Sequence, residues 1–317
     1  MKKELGIGLL LLMVCGVMTF LEPASFLSKE NLQNLATLIG MFGVFSIGAG
    51  VVIITSGIDL SIGSVFALQG VVFCMMLQGG YGWPTALALT TLGMVFVGLI
   101  HGFLIAQLNL QPFIVTLCGL LFYRGLARFI TDEQTKGLGA TNYGVLEYCA
   151  TGKLGPVPMP FVLLIIVAVI MGVVLHGSVY GRYLYAIGRN EEAARYSGIN
   201  TKVIIGVAYV ISMITASISG ILFVFYSDSV LPSSHGNFYE LYGIAAAVLG
   251  GCSLRGGEGS ILGILLGTAL LQVLQNAVNL LPHAKSSLQL CVMGAVILLG
   301  ALLDQWLKTR QRKGKGA

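Results

Sequence analysis

The chain has 317 residues, 56% of them hydrophobic and 10% charged, with a formal net charge of +5 and a mean hydropathy of +0.88. A soluble domain carries about 25% charged residues, so a soluble globular fold is excluded and a polytopic membrane protein takes its place. Apolar stretches near the roughly 20 residues that cross a bilayer as helix recur along almost the whole length, and residues 1–317 read as a single transmembrane domain.

In chain order, the apolar runs predict helices over 5–21, 35–56, 62–79, 83–107 and 112–131, then over 161–180, 203–226, 239–250, 261–281 and 288–307. The fold class is therefore all-α, a bundle of about ten transmembrane helices. A membrane β-barrel would show alternating segments of about ten residues, and these runs do not alternate. Lys2 and Lys3 precede the first run as in a signal peptide, but no A-x-A-like cleavage site follows, so an uncleaved first span is expected. The six cysteines show neither a disulfide framework nor metal-ligand spacing.

Between the second and third predicted spans lies "SGIDLSIGSV", which places Asp59 and Ser61 between Gly57 and Gly63. At a helix start, Asp59 or Ser61 can accept hydrogen bonds from free backbone N–H groups, and the helix dipole makes a carboxylate tolerable there. Two readings stand: a structural cap, or a loop lining a gate, because ionisable groups within spans tend to be functional. "GCSLRGG" shares the spacing, with Gly251, Leu254 and Gly257 against Gly57, Leu60 and Gly63. This is a weak internal repeat, the pointer to broken helices around a pathway; six predicted spans between the two favour a parallel arrangement. His101, in the fourth span, is expected to bond between helices.

Residues 132–160 form the largest outer loop. The segment 181–202 is more informative: Asn190 reads as a helix N-cap, Glu191 and Glu192 occupy the first turn, and Gly198 is the stop. Two turns of helix are marginal alone in water, so this one is expected to dock on something. In the ninth span, Gln272, Gln275, Asn276 and Asn279 fall on one helical stripe. Four amides at membrane depth need partners, either across helices or along a path for a hydroxylated solute.

Lys and Arg favour the cytoplasmic side of short loops. With both termini inside, that side holds Lys2, Lys3, Arg182, Arg189, Arg195, Lys202, Arg255, Lys308, Arg310, Arg312, Lys313 and Lys315, twelve of the eighteen. The positive charge is thus membrane topology, and no clustered basic face for nucleic acid is present beyond the 308–315 tail. G-x-x-x-x-G-K-[ST] is absent and "GEGSILG" lacks a strand-turn-helix setting, so the chain is read as binding no nucleotide or other cofactor and as not being an enzyme.

"EEAARYSGI" resembles the E-A-A-x-x-x-G cytoplasmic segment of ATP-binding cassette (ABC) importer permeases, with Glu192, Ala193, Ala194 and Gly198 at matching positions. With "SGIDLSIGSV", "PFIVTLCGLLFYRG" and "GGCSLRGGEGSILG" it resembles, in order and over nearly the whole chain, the permeases of monosaccharide importers of the ribose, xylose and galactose type. The resemblance implies a membrane subunit of the bacterial inner membrane that translocates a small sugar. It implies as partners a cytoplasmic ATP-binding cassette ATPase docking at 190–198, a periplasmic sugar-binding protein and a second permease chain, homodimeric or sibling. A nucleoside or a sugar-like signal molecule is the alternative cargo. A stand-alone secondary transporter is the other class, and would carry coupling carboxylates deep in its spans.

Overall fold

A computed structural model of the chain describes residues 2–139 and 143–281, with residues 291, 294, 295 and 298 beyond them. Its helices are α1 (Lys2–Leu21), α2 (Pro23–Phe26), α3 (Lys29–Ile54), α4 (Ile62–Gln78), α5 (Trp83–Gly102, extended by a π-helical turn Phe103–Gln107), α6 (Pro112–Phe129) and α7 (Val145–Thr151). Then come α8 (Met159–Gly172, extended by a π-helical turn Val173–Gly177), α9 (Val179–Arg189), α10 (Glu191–Tyr196), α11 (Thr201–Ser227), α12 (Tyr239–Leu249) and α13 (Ile261–Leu280). Four two-residue strands form two antiparallel pairs, β1 (Lys136–Gly137) with β4 (Ser229–Val230) and β2 (Lys153–Leu154) with β3 (Val157–Pro158). Among the described residues, seven helices are long and apolar enough to cross a membrane, and α4 and α12 are shorter apolar helices. Nine of the ten predicted spans are thus helices; the tenth, 288–307, lies outside the described residues except for 291, 294, 295 and 298, and Lys285 and the basic tail lie outside them too.

The helix starts follow local chemistry. Proline stands in the first turn of α2, α5, α6 and α8, where its missing N–H is no loss. Side chains of Ser28, Ser178, Asn190, Asn200 and Ser260 accept the N–H of the third residue of α3, α9, α10, α11 and α13. Ser28 moves the start of α3 to Lys29, six residues before the predicted apolar run, because its polar first turns are still helix.

Helices α3 and α11 form the central post. Around α3 pack α8, α11, α12 and α13, and against α11 lie α4 and α5, with α6 on α4. Along its apolar length α1 is only 6% buried, and it rests on the outside against α13. Where α12 meets α13 the contact is backbone to backbone. A Cβ at Gly267 would strike the Ala246 carbonyl and lie 2.8 Å from the Gly250 nitrogen, and one at Gly263 would strike the Gly250 carbonyl. Small residues four apart bring membrane helices together in this way.

The bundle has two distinct ends. One carries α10, Arg189 and Arg195, the C-terminus of α3 and the 250–260 loop; Ser260 Oγ donates to Glu4 there (2.5 Å), which fixes the start of α1 at the same end. The far end carries α7 and the four strands. Neither α4 nor α12 begins at an end. The Tyr239 ring lies tilted at 4.9 Å from Phe42, and Phe66 meets Phe45 edge-on at 5.9 Å, both about half way along α3. The eleven residues of α12 span about 16 Å, half the roughly 30 Å of bilayer hydrocarbon.

Candidate functional site

Two breaks in the helices meet inside the bundle. The first begins where α3 stops: Thr55 Oγ1 donates to the Val52 carbonyl (2.7 Å), Ser56 takes φ +67° and Gly57 N closes back on Val52 O (3.2 Å). A Cβ at Gly57 would lie 2.9 Å from the Tyr209 hydroxyl. The chain then climbs inward to Asp59, 2% exposed. Asp59 Oδ1 accepts both the backbone N–H (2.9 Å) and the hydroxyl (2.7 Å) of Ser61, an Asx-type turn that sets up the first turn of α4. Asp59 Oδ2 is buried with no hydrogen-bond partner among the described residues.

From Ser61 a row of polar groups crosses to the next two helices. Its Oγ lies 3.5 Å from Nδ1 of His101 on α5, the limit of a hydrogen bond, and Nε2 of His101 lies 3.2 Å from the Tyr123 hydroxyl on α6. His101 therefore bonds between helices.

The second break enters from the far end. After α11, Asp228 takes φ +55° and β4 pairs with β1; residues 231–238 then turn down into the bundle, and Phe238 (φ +65°) starts α12. Glu240, in the first turn of α12, is 6% exposed. It faces the first turn of α4 so closely that a Cβ at Gly63 would collide with its Oε2 and stand 2.6 Å from the Gly236 carbonyl. Arg124 of α6 joins both breaks: it donates to the carbonyls of Pro232 (3.1 Å), His235 (2.6 Å) and Gly63 (3.3 Å), with Glu240 as counter-charge. Two helix N-termini thus converge at mid-depth, one reached from each end. The partner of the Gly57–Gly63 stretch in the interior is the 231–238 turn. Gly251 and Gly257, expected as its parallel counterpart, stay at the α10 end.

Arg124 was not singled out in the sequence as a site residue, although an arginine inside the apolar "LLFYRGLARF" is a signal by itself. Replacing Arg124 with Gln is expected to lower stability by about 2–3 kcal/mol, below the range for a fully buried pair because Arg124 is half-buried. Adding Glu240→Gln should return part of the loss. Thermal unfolding in detergent of the two single variants and the double variant checks this; additive losses would show that the two groups do not interact.

At the α10 end three segments share one junction. Gly257 N donates to the Ile54 carbonyl (2.9 Å), and Ser56 Oγ donates to Arg255 O (2.8 Å) and Gly188 O (3.2 Å). A Cβ at Gly188 would collide with both Ile54 O and Gly257 N. Beside this junction stands α10. Asn190 Oδ1 accepts from Ala193 N (2.9 Å), and Gly198 at φ +83° turns the chain away. Only Ala194 is buried, at 5%, in a cluster with Ile187, Ile205 and Tyr209. Glu191, Glu192, Ala193 and Gly198 are exposed. Tyr196 is 80% exposed, with the Arg195 guanidinium 5.8 Å from its ring. An aromatic held in water on a capped helix is a feature the sequence reading passed over.

The amide stripe of α13 divides. Asn276 is engaged with Asn31 of α3 in a two-way amide pair (2.6 and 3.2 Å). Gln272 Oε1 and Gln275 Nε2 are buried without hydrogen-bond partners among the described residues. Asn279 is exposed.

Crossing helices with two internal breaks that meet at mid-depth define a polytopic transport permease. Residues 31–301 match the family described as branched-chain amino acid transport system / permease component, and the chain belongs to that family. It is 37% identical to the ribose import permease protein of Bacillus subtilis, covering 96% of this chain and 93% of that one. It is 36% identical to the ribose import permease protein of Escherichia coli K12 (93% and 91%) and 30% identical to the D-allose transport system permease protein of the same strain (95% and 91%). No solved structure matches it. The four-motif resemblance to monosaccharide ABC importer permeases is borne out by these relatives, and the chain is a multi-pass protein of the bacterial inner membrane.

Proposed function

We propose that this chain is the translocating subunit of an ATP-driven importer for a monosaccharide of the ribose or allose kind, delivered by a periplasmic binding protein. The observation that carries the reading is likeness to sugar import permeases over more than nine-tenths of the chain. The family description names branched-chain amino acids, but these full-length relatives handle sugars. The chain itself performs no catalysis; a separate cassette ATPase docks on α10 through Asn190, Glu191, Glu192, Ala193, Ala194 and Gly198. Because cassette ATPases work in pairs, two permease chains assemble, as a homodimer or with a sibling.

The α10 end faces the cytoplasm and both chain termini lie on that side. Arg182, Arg189, Arg195, Lys202 and Arg255 support this orientation. The junction of Ser56, Gly188 and Gly257 supports transmission, since it ties the element before α10 to the break that leads to Asp59. Gly57, Asp59, Ser61 and Gly63 form the gate. Gln272 Oε1 and Gln275 Nε2, without hydrogen-bond partners among the described residues, are offered to sugar hydroxyls; Asn276 and Asn279 extend the same stripe.

Reconstitution in vesicles with the ATPase and binding protein is expected to give ATP-dependent uptake of radiolabelled ribose or allose. In the same vesicles Gln275→Leu should slow uptake while leaving the melting temperature nearly unchanged. Uptake of leucine instead would remove the sugar reading, uptake of a nucleoside would transfer it to the alternative cargo, and uptake without ATP would make the chain a secondary transporter.

A further inference from the structure

Inside the bundle, polar groups run along α12 and α13, in the row from Asp59 to Tyr123, and from Gln69 of α4 to Ser217 of α11 (2.5 Å). The outer face of α5 and α6 is different. Leu92, Phe96, Leu99, Phe103 and Leu121 are each more than half exposed, which in a membrane-spanning bundle means that they meet lipid. Into this face a crevice of about 510 Å³ is cut between α4, α5 and α6. Its walls include Val72, Met76, Leu89, Phe96, Ile100 and Leu126, with Tyr123 also lining it. Gly93 lines it too, and a Cβ built there meets nothing within 4 Å.

We propose that this crevice is a binding site for one acyl chain of a membrane phospholipid, in the leaflet away from α10. Its dimensions carry the assignment. From Leu89 to Ile100 the α5 wall is about 16 Å long, matching the roughly 15 Å of hydrocarbon in one leaflet, half of about 30 Å. Apart from Gln69 and Thr90 the side chains lining the crevice are apolar or aromatic, the surface an acyl chain needs. Depth agrees: Gln78, at the end of α4, bonds to Gly137 of β1 at the far end (2.9 Å), so Met76 lies near that surface and Val65 near mid-depth. Trp83 opens α5 at the level where interfacial tryptophans sit. An acyl chain here backs Tyr123, whose hydroxyl faces His101, and so supports the row of groups beside the first break from the lipid side.

The test uses the full chain with a Phe96→Trp reporter in vesicles of phosphatidylethanolamine and phosphatidylglycerol with brominated acyl chains. Native Trp83 and Trp306 are subtracted by measuring the parent chain. After extraction and washing in lipid-free detergent, bromine quenching of the reporter is expected to persist. A Leu92→Trp reporter, outside the crevice on the same helix, should lose its quenching. Gly93→Leu, which fills the crevice, should abolish the retained quenching at Phe96→Trp with the melting temperature held. Quenching that washes out at Phe96→Trp, or that survives Gly93→Leu, overturns the site. So does efficient dimer cross-linking of Phe122→Cys above the level given by exposed Cys118, because a second copy would then occupy the crevice. If Gly93→Leu prevents folding, native mass spectrometry of the parent chain decides: retained phospholipid on the washed protein supports the site and none overturns it.

Discussion

A chain carrying both Glu192→Lys and Gly198→Val is expected to insert normally and to lose ATP-driven uptake entirely. The two changes act on one short helix that the bundle barely holds. Gly198 sits at φ +83°, where a β-branched side chain is strained by about 1–3 kcal/mol, and six residues of helix with one buried side chain cannot absorb that. Glu192 lies in the first turn, where its charge complements the helix dipole; a lysine reverses that and presents the wrong sign to any partner. The spans themselves are untouched, so the melting temperature of the membrane domain should hold. The measurement is stimulation of the cassette ATPase by purified permease in detergent. Stimulation equal to that of the unaltered chain would remove the docking assignment. Tyr196→Ala serves as the gentler companion: an exposed aromatic at the end of a docking helix contributes about 2 kcal/mol, a roughly 30-fold loss of affinity.

Gly267→Leu should be the most damaging single change to the fold. At that position even a methyl group meets the Ala246 carbonyl and the Gly250 nitrogen, and neither backbone atom can swing aside as a side chain can. The helices must part. Overpacking a core against side chains is destabilising by about 1–3 kcal/mol, and here α12 would also be pushed off α13 along its length, so a loss above about 3 kcal/mol is expected. Gly206→Leu is the control, since a Cβ there meets nothing within 4 Å. A melting temperature for Gly267→Leu no lower than that of the control would mean that α12 and α13 are not packed as described.

Most of the architecture was legible because a bilayer leaves a chain few options. Apolar length marked the spans, and Asn190 marked the start of the short helix between them, at 190–198. What could not be read is whatever depends on depth. A run as short as 239–250 looks like a poor crossing in sequence; in space it is a half-length helix whose missing half is supplied by the 231–238 turn, an irregular stretch tolerated because its neighbours satisfy its carbonyls. The role of Arg124 was hidden likewise, since its three acceptors come from residues 61 to 111 positions away. Spacing placed Gly57–Gly63 beside Gly251–Gly257, and the two stretches do share one end, but spacing carries no information about which of them turns inward.

The most buried span has a consequence for how the protein is made. Along its apolar length α3 is 83% enclosed by protein, yet this helix leaves the ribosome before α8, α11, α12 and α13, the elements that enclose it. Its terminal carbonyl at Ile54 is bonded by Gly257, about two hundred residues later. During synthesis α3 must therefore wait in lipid, its glycine-lined surfaces against acyl chains, and a ribosome that stalls before residue 280 leaves behind a nascent chain with no finished interior. Quality-control proteases of the membrane would meet such fragments as unfolded, whereas loss of α1, which is 6% buried and lies on the periphery, leaves that interior assembled.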